Sequence, residues 1–157
     1  VRSSKIFHDA GFLIEQGADY MHDVMEPIIN SQTLKGKQFL GLVFSNLKHN
    51  TKDNFYYVAL SKKQWQEAGL NKDEIHGASS SFADIADANL VFSLVEDDDG
   101  ISGSLRSRKV DVSKIAQALG GGGHKPAAGF MLTNMSIDQA EKKVLETIAQ
   151  VGLQPLE

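Results

Sequence analysis

Apolar residues recur along this chain with two different periods, and the alternation predicts helices interleaved with strands. Between residues 5 and 16, Ile6, Ala10, Leu13 and Ile14 share one face at helical spacing, and Gly17 suits the C′ stop. A shorter helical stretch is expected from Asp19 to Glu26, closed by Pro27. Residues 34–47 place Leu40, Val43 and Leu47 at helical spacing, although 39–44 alone would also suit a buried strand. Length favours the helix. Residues 55–60, aromatic and β-branched after a polar turn, read as a strand.

Ser61 followed by Gln64 fits a capping box that opens a short helix ending near Gly69. Residues 77–81 read as loop. Residues 90–95 and 101–108 flank an acidic turn ending in Asp99-Gly100, which predicts a β-hairpin. Asp111 is placed to N-cap a helix whose Val112, Ile115, Ala116 and Leu119 form one stripe, with Gly120 at its C′ position. Residues 128–132 suit a strand, and Ser136 with Gln139 opens a last helix burying Ala140, Val144, Ile148 and Val151. The whole is an α/β fold: a mixed β-sheet flanked by helices, with an N-terminal helical segment.

Composition narrows the picture without naming a chemistry. The chain has 157 residues, 41% hydrophobic and 23% charged, enough to bury a core without staples. It has no cysteine, which excludes thiolate catalysis, disulfides and cysteine-ligated zinc, and is compatible with a reducing, cytoplasmic setting. No apolar run approaches the roughly 20 residues of a membrane span, so no membrane contact is expected of this domain. A net charge of −4 disfavours a grip on long nucleic acid but permits a short nucleotide held by local cations. The first residue is Val1, which suggests a piece of a longer chain.

The candidate chemistry lies in the run from Gly120 to Gly123, followed by His124 and Lys125. Four glycines are entropically costly, and a helix C-cap accounts only for the first. Successive N–H groups without Cβ atoms can converge on an anion, and the adjoining basic groups favour that reading over a plain flexible loop. Neither a P-loop nor a dinucleotide fingerprint fits the order of elements. Arg106 and Arg108 share parity on the expected strand and suit bidentate contact with phosphate, although two solvated arginines would look the same. The acidic residues 96–99 read as a hairpin turn, and His8-Asp9 and His22-Asp23 as surface residues.

The stretch Gly103-Ser104-Leu105-Arg106-Ser107-Arg108, then residues 110–116, then Gly120 through Phe130, resembles the C-terminal, DHH-associated substrate-binding domain of DHH-family phosphoesterases. Those include RecJ-like exonucleases, nanoRNase/pAp phosphatases and cyclic dinucleotide phosphodiesterases; the Ala-Ala-Gly-Phe ending is most similar to the nanoRNase/pAp phosphatase branch. The resemblance implies that Arg106, Ser107, Gly121, Gly122, Gly123 and His124 hold a phosphate or a terminal nucleotide, and Arg108 joins these substrate-binding candidates by its strand parity. It implies no catalytic residue and no metal ligand in this chain, which lacks the Asp-His-His motif. Two Mn²⁺ ions are expected instead in an N-terminal DHH domain of the same polypeptide. Residues 1–30 would then be the helical connector from that domain, and 31–157 the substrate-binding domain, inactive alone. The implied partner is a phosphate-containing nucleotide or short single-stranded oligonucleotide, and a homodimer is compatible. The alternatives are a non-catalytic nucleotide or RNA-end binding module and a fragment of a cyclic dinucleotide phosphodiesterase.

Overall fold

The computed structural model describes residues 4–23, 26, 33–75 and 77–156. By internal contacts the chain divides into two units, Val1–Leu34 and Lys35–Glu157. In the first, helix α1 (Lys5–Glu15) ends as its glycine signal predicts. Gly17 takes φ +96°, and the amides of Gly17 and Ala18 bond back to Ile14 and Leu13. Its apolar Ile6, Leu13 and Ile14 are exposed. Asp19 then accepts from the amides of Met21 and His22. The closure expected at Pro27 lies outside the described residues.

The second unit is built on six strands: β1 (Lys48–Asn50), β2 (Phe55–Leu60), β3 (Leu90–Glu96), β4 (Ile101–Arg106), β5 (Gly122–His124) and β6 (Ala127–Leu132). Their order across the sheet is β1-β2-β3-β4-β6-β5, with only β2 and β3 parallel. A parallel pair requires a long crossover. Here it is supplied by helix α3 (Lys62–Glu67) and two 3₁₀ segments, Lys72–Glu74 and Ala78–Phe82. The remaining helices are α2 (Leu34–Ser45), α4 (Ser113–Ala118) and α5 (Ile137–Val151). The ambiguous segment 34–47 is therefore mainly helical, with Phe39 and Val43 buried. The segment expected as loop at 77–81 coils into the second 3₁₀ turn, entered through Gly77 at φ +74°.

Alternation along the strands produces two apolar layers. Phe55, Phe92, Leu94, Leu105 and Phe130 pack with Val112, Ile115, Ala140, Val144 and Ile148 on one face. Val58, Leu60, Val91 and Val95 pack with Phe39, Val43, Trp65 and Phe82 on the other. Each such large side chain removed from water contributes about 1.5–3 kcal/mol. Trp65 can be buried because its Nε1–H donates to the Glu96 carbonyl at 2.8 Å. Both capping boxes read from the sequence are formed, at Ser61/Gln64 and Ser136/Gln139. The acidic hairpin is a structural turn: Asp97 and Asp99 face Lys72, and Asp98 faces Lys62.

Tyr57 ties β2 to α5 by donating to Glu141 Oε1 at 3.1 Å. Burial, then the Glu141 charge and hydrogen bond, push its phenol up from 10.0 to about 12. Because the folded value is raised, this contribution to stability is complete below pH about 10 and fades as pH passes 12. Alkaline absorbance titration should show one phenolate step near pH 12 that Tyr57→Phe removes. The assignment fails if the variant keeps that step.

Candidate phosphate-binding surface

The glycine run has a structural reason at three of its four positions. Helix α4 closes with Gly120 at φ +82°, whose amide bonds to the Gln117 carbonyl while Gly121 N–H donates to Ala116 O at 2.8 Å. That is the paired Schellman closure, and it occupies both amides. A Cβ on Gly121 would lie 2.1 Å from the Gly129 carbonyl oxygen. On Gly123, at φ +145°, it would meet Ala128 Cα at 2.5 Å. Gly120 and Gly122 both have open space where a side chain would go, but Gly120 is held by its positive φ, so Gly122 has neither reason. The expected loop is in fact a short edge strand, β5, paired to β6 around a Lys125-Pro126 turn. Sequence reasoning missed it because glycines carry no apolar alternation to read.

That turn locks the basic segment in place. The Pro126 carbonyl accepts from Ser107 N–H at 3.0 Å, and the Lys125 carbonyl from Val112 N–H at 2.9 Å. Register then aligns the site: Arg106 lies opposite Ala127, and Ala127 opposite His124. Directly opposed residues share a face, so Arg106 and His124 stand on one side of the sheet across a single alanine, about 10 Å apart at Cα. On that same face lie Ser102, Ser104, Gly129, Gly122 and Met131. All eight are exposed or half-buried, so this half of the face lacks the apolar cover that closes β2 and β3. A shallow floor, mostly of small residues, with Arg106 at one side and His124 at the other is the result.

Arg108 departs from the expectation. Strand β4 ends at Arg106, so strand alternation does not place Arg108 on the Arg106 face. The Ser107 amide still bonds in register to the Pro126 carbonyl, but proline has no N–H to return the bond, so the ladder ends there. Arg106 and Arg108 nevertheless line one pocket of about 200 Å³ with Ala83, Ser107 and Pro126. Neither the glycines nor His124 lines it. Among the described residues the Arg106 side chain makes one hydrogen bond, Nη1 to the Leu105 carbonyl at 3.1 Å. Among the described residues, Arg106, Arg108 and His124 form no ion pair. A guanidinium offers five donors, so Arg106 keeps most of its capacity for an anion.

Ser107 needs a second correction. Its hydroxyl donates to the Asn89 carbonyl at 2.6 Å and accepts the amides of Lys109 and Val110 at 2.9 and 2.8 Å. One donor and two lone pairs are thereby used, and the residue is 8% exposed. Its side chain shapes the loop that presents the two arginines rather than meeting a ligand. Asp111 acts similarly. It is buried, and its Oδ1 accepts from the Ser113 hydroxyl and from Ser113 N–H at 3.0 Å. The Ser113 hydroxyl first, then its amide and the Lys114 and Lys125 charges, hold the Asp111 carboxyl below its usual range. The helix begins one residue later than the sequence suggests, with Val112 at the N-cap. Asn89, Ala83 and the Pro126 carbonyl had no signal in the sequence; only the fold brings them here.

The DHHA1 domain model matches residues 52–151, from the turn before β2 to the end of α5. The chain belongs to the DHHA1 domain family. This DHHA1 domain is 46% identical over 54 residues to the bifunctional oligoribonuclease and PAP phosphatase NrnA of Thermus thermophilus, a stretch covering 34% of this chain and 17% of that protein. An exopolyphosphatase-related protein from Bacteroides fragilis superposes with a TM-score of 0.78 at 23% identity, over 96% of this chain and 45% of that one. A pGpG-specific phosphodiesterase from Vibrio cholerae superposes at 0.52 and 15% identity, over 75% of this chain and 40% of that one. Both likenesses concern the fold. The chain spans less than half the length of these solved relatives, and no helix among its described residues is long and apolar enough to cross a membrane.

Proposed function

We propose that this DHHA1 domain is the substrate-binding half of a DHH phosphoesterase acting on short oligonucleotides or on 3′-phosphoadenosine 5′-phosphate (pAp). The observation that carries the reading is the row Arg106–Ala127–His124 on an uncovered, small-residue face, with Arg106 in no ion pair among the described residues. Arg106 would take two phosphate oxygens through its planar fork, and Arg108 would add charge from the loop. Gly122 would let the phosphate approach the strand closely, and His124 would donate to an oxygen from the opposite side. Gly121 and Gly123 hold β5 against β6, and Ser107 holds the arginine loop. The partial match to NrnA, an oligoribonuclease and PAP phosphatase, supports the substrate class.

DHHA1 domains normally sit beside an N-terminal DHH domain in the same polypeptide. Among the described residues no group of three or more His, Asp or Glu side chains could hold a metal ion. The proposal places two Mn²⁺ ions in that DHH domain, where they would supply hydroxide and phosphate activation. No step of that chemistry is assigned to a side chain here. The full-length protein with Mn²⁺ should release mononucleotides from RNA dinucleotides and phosphate from pAp, while this chain alone should release neither. Turnover by the purified chain alone would overturn the division of labour, and binding without turnover in the full-length protein would favour a non-catalytic module.

A further inference from the structure

Two serine hydroxyls meet at the candidate surface, on segments far apart in sequence. Ser104 lies on β4, two residues before Arg106 and on the same face, so about 7 Å along the strand from it. Ser79 sits in the 3₁₀ turn Ala78–Phe82, is 1% exposed, and donates to Ser104 Oγ at 2.9 Å. Ser93 faces Ser104 across β3 and β4 but hydrogen-bonds to neither hydroxyl. A buried hydroxyl proton left without an acceptor is costly, and Ser79 has no other acceptor among the described residues. The Ser79 proton must therefore point at Ser104. With its oxygen facing that proton, Ser104 must direct its own elsewhere. The half-buried side of Ser104 is the open floor beside Arg106.

We propose that Ser79 is a positioning residue that sets the Ser104 hydroxyl as a hydrogen-bond donor to the ligand's phosphate. This deepens the phosphate-surface reading and rests on it. Ser104 touches the phosphate; Ser79 acts only through Ser104. The arrangement resembles a preset donor in any anion site, where orientation fixed in advance avoids reordering on binding. It also gives the crossover between β2 and β3 a role in recognition, since that crossover carries Ser79.

The test is calorimetric titration of pAp into the full-length protein, comparing Ser104→Ala, Ser79→Ala and the double variant, with Arg106→Ala as reference. Ser104→Ala should weaken binding about tenfold, the loss of one hydrogen bond to a charged group. Ser79→Ala should weaken it by a similar factor, and the double variant should be no weaker than Ser104→Ala alone. A merely structural role for Ser79 would instead multiply the two losses, and that result would overturn the proposal. Unchanged affinity in Ser104→Ala, with Arg106→Ala still impaired, would overturn it too while leaving the phosphate surface standing. Unchanged affinity in Arg106→Ala would remove the underlying reading. Should Ser79→Ala fail to fold, Ser79→Cys keeps the volume with a weaker donor, and its loss should likewise vanish when Ser104 is alanine.

Discussion

Gly121→Ala should destabilise the domain by about 3 kcal/mol or more, while its neighbour Gly122→Ala should melt with the parent. The Cβ of an alanine at 121 would sit 2.1 Å from the Gly129 carbonyl oxygen and 2.7 Å from Phe130 Cα. Both are backbone atoms of β6, paired to β4 and β5, and cannot move aside as a flexible side chain could. At Gly122 nothing lies within 4 Å. Gly123→Ala should resemble Gly121→Ala, since its φ of +145° is strained for an L residue and its Cβ would strike Ala128. Against a total stability of about 5–15 kcal/mol, the first and third changes threaten the fold itself. Thermal and urea melts check the contrast. Equal melting of the 121 and 122 variants would show that the run is a loose loop. Because Gly122 is exposed on the floor, its alanine variant should keep the fold yet weaken nucleotide binding, which separates the structural glycines from the ligand-facing one.

Arg106→Ala should lower kcat/KM of the full-length protein toward pAp and RNA dinucleotides by about a hundredfold, with little change in melting temperature. Two charge-assisted hydrogen bonds at about 1.5 kcal/mol or more each account for the size. Stability should hold because the side chain is half-buried and, among the described residues, bonds only to the Leu105 carbonyl. Arg106→Lys should recover part of the loss, since an ammonium keeps the charge but not the planar fork. Arg108→Ala should cost less, as that side chain is exposed and lies beyond the strand. A kcat/KM for Arg106→Ala equal to the parent's would remove Arg106 from the site.

The parts of the fold legible in the sequence were those whose cause is local. Serine and glutamine three apart made both capping boxes, and Gly17 and Gly120 ended α1 and α4. The Asp99-Gly100 turn joined β3 to β4 as its composition indicated. Failures came where distant groups decided. Strand β5 has no apolar side chain, so only its pairing with β6 makes it a strand. Strand β1, Lys48–Asn50, is equally polar and exists by pairing with β2. Arg108 was expected on β4, but the strand ends two residues earlier, at Arg106, where the facing Pro126 has no N–H to carry the ladder on.

For the site, the sequence by itself determined which residue types are available: arginines, a histidine, and glycines in an order that resembles one family. It also determined the α/β pattern, since period and capping are written in neighbouring residues. Which of those residues stand together was decided only by tertiary structure. Register across three strands sets Arg106 and His124 on one face with a small residue between them. A carbonyl 18 residues away, with two neighbouring amides, fills the hydroxyl of Ser107 and turns a nominated contact into a support. Close packing on β6 does the same to Gly121 and Gly123. The physical reason is common to all three: a hydrogen bond or a steric contact has two ends, and the chain order names only one of them.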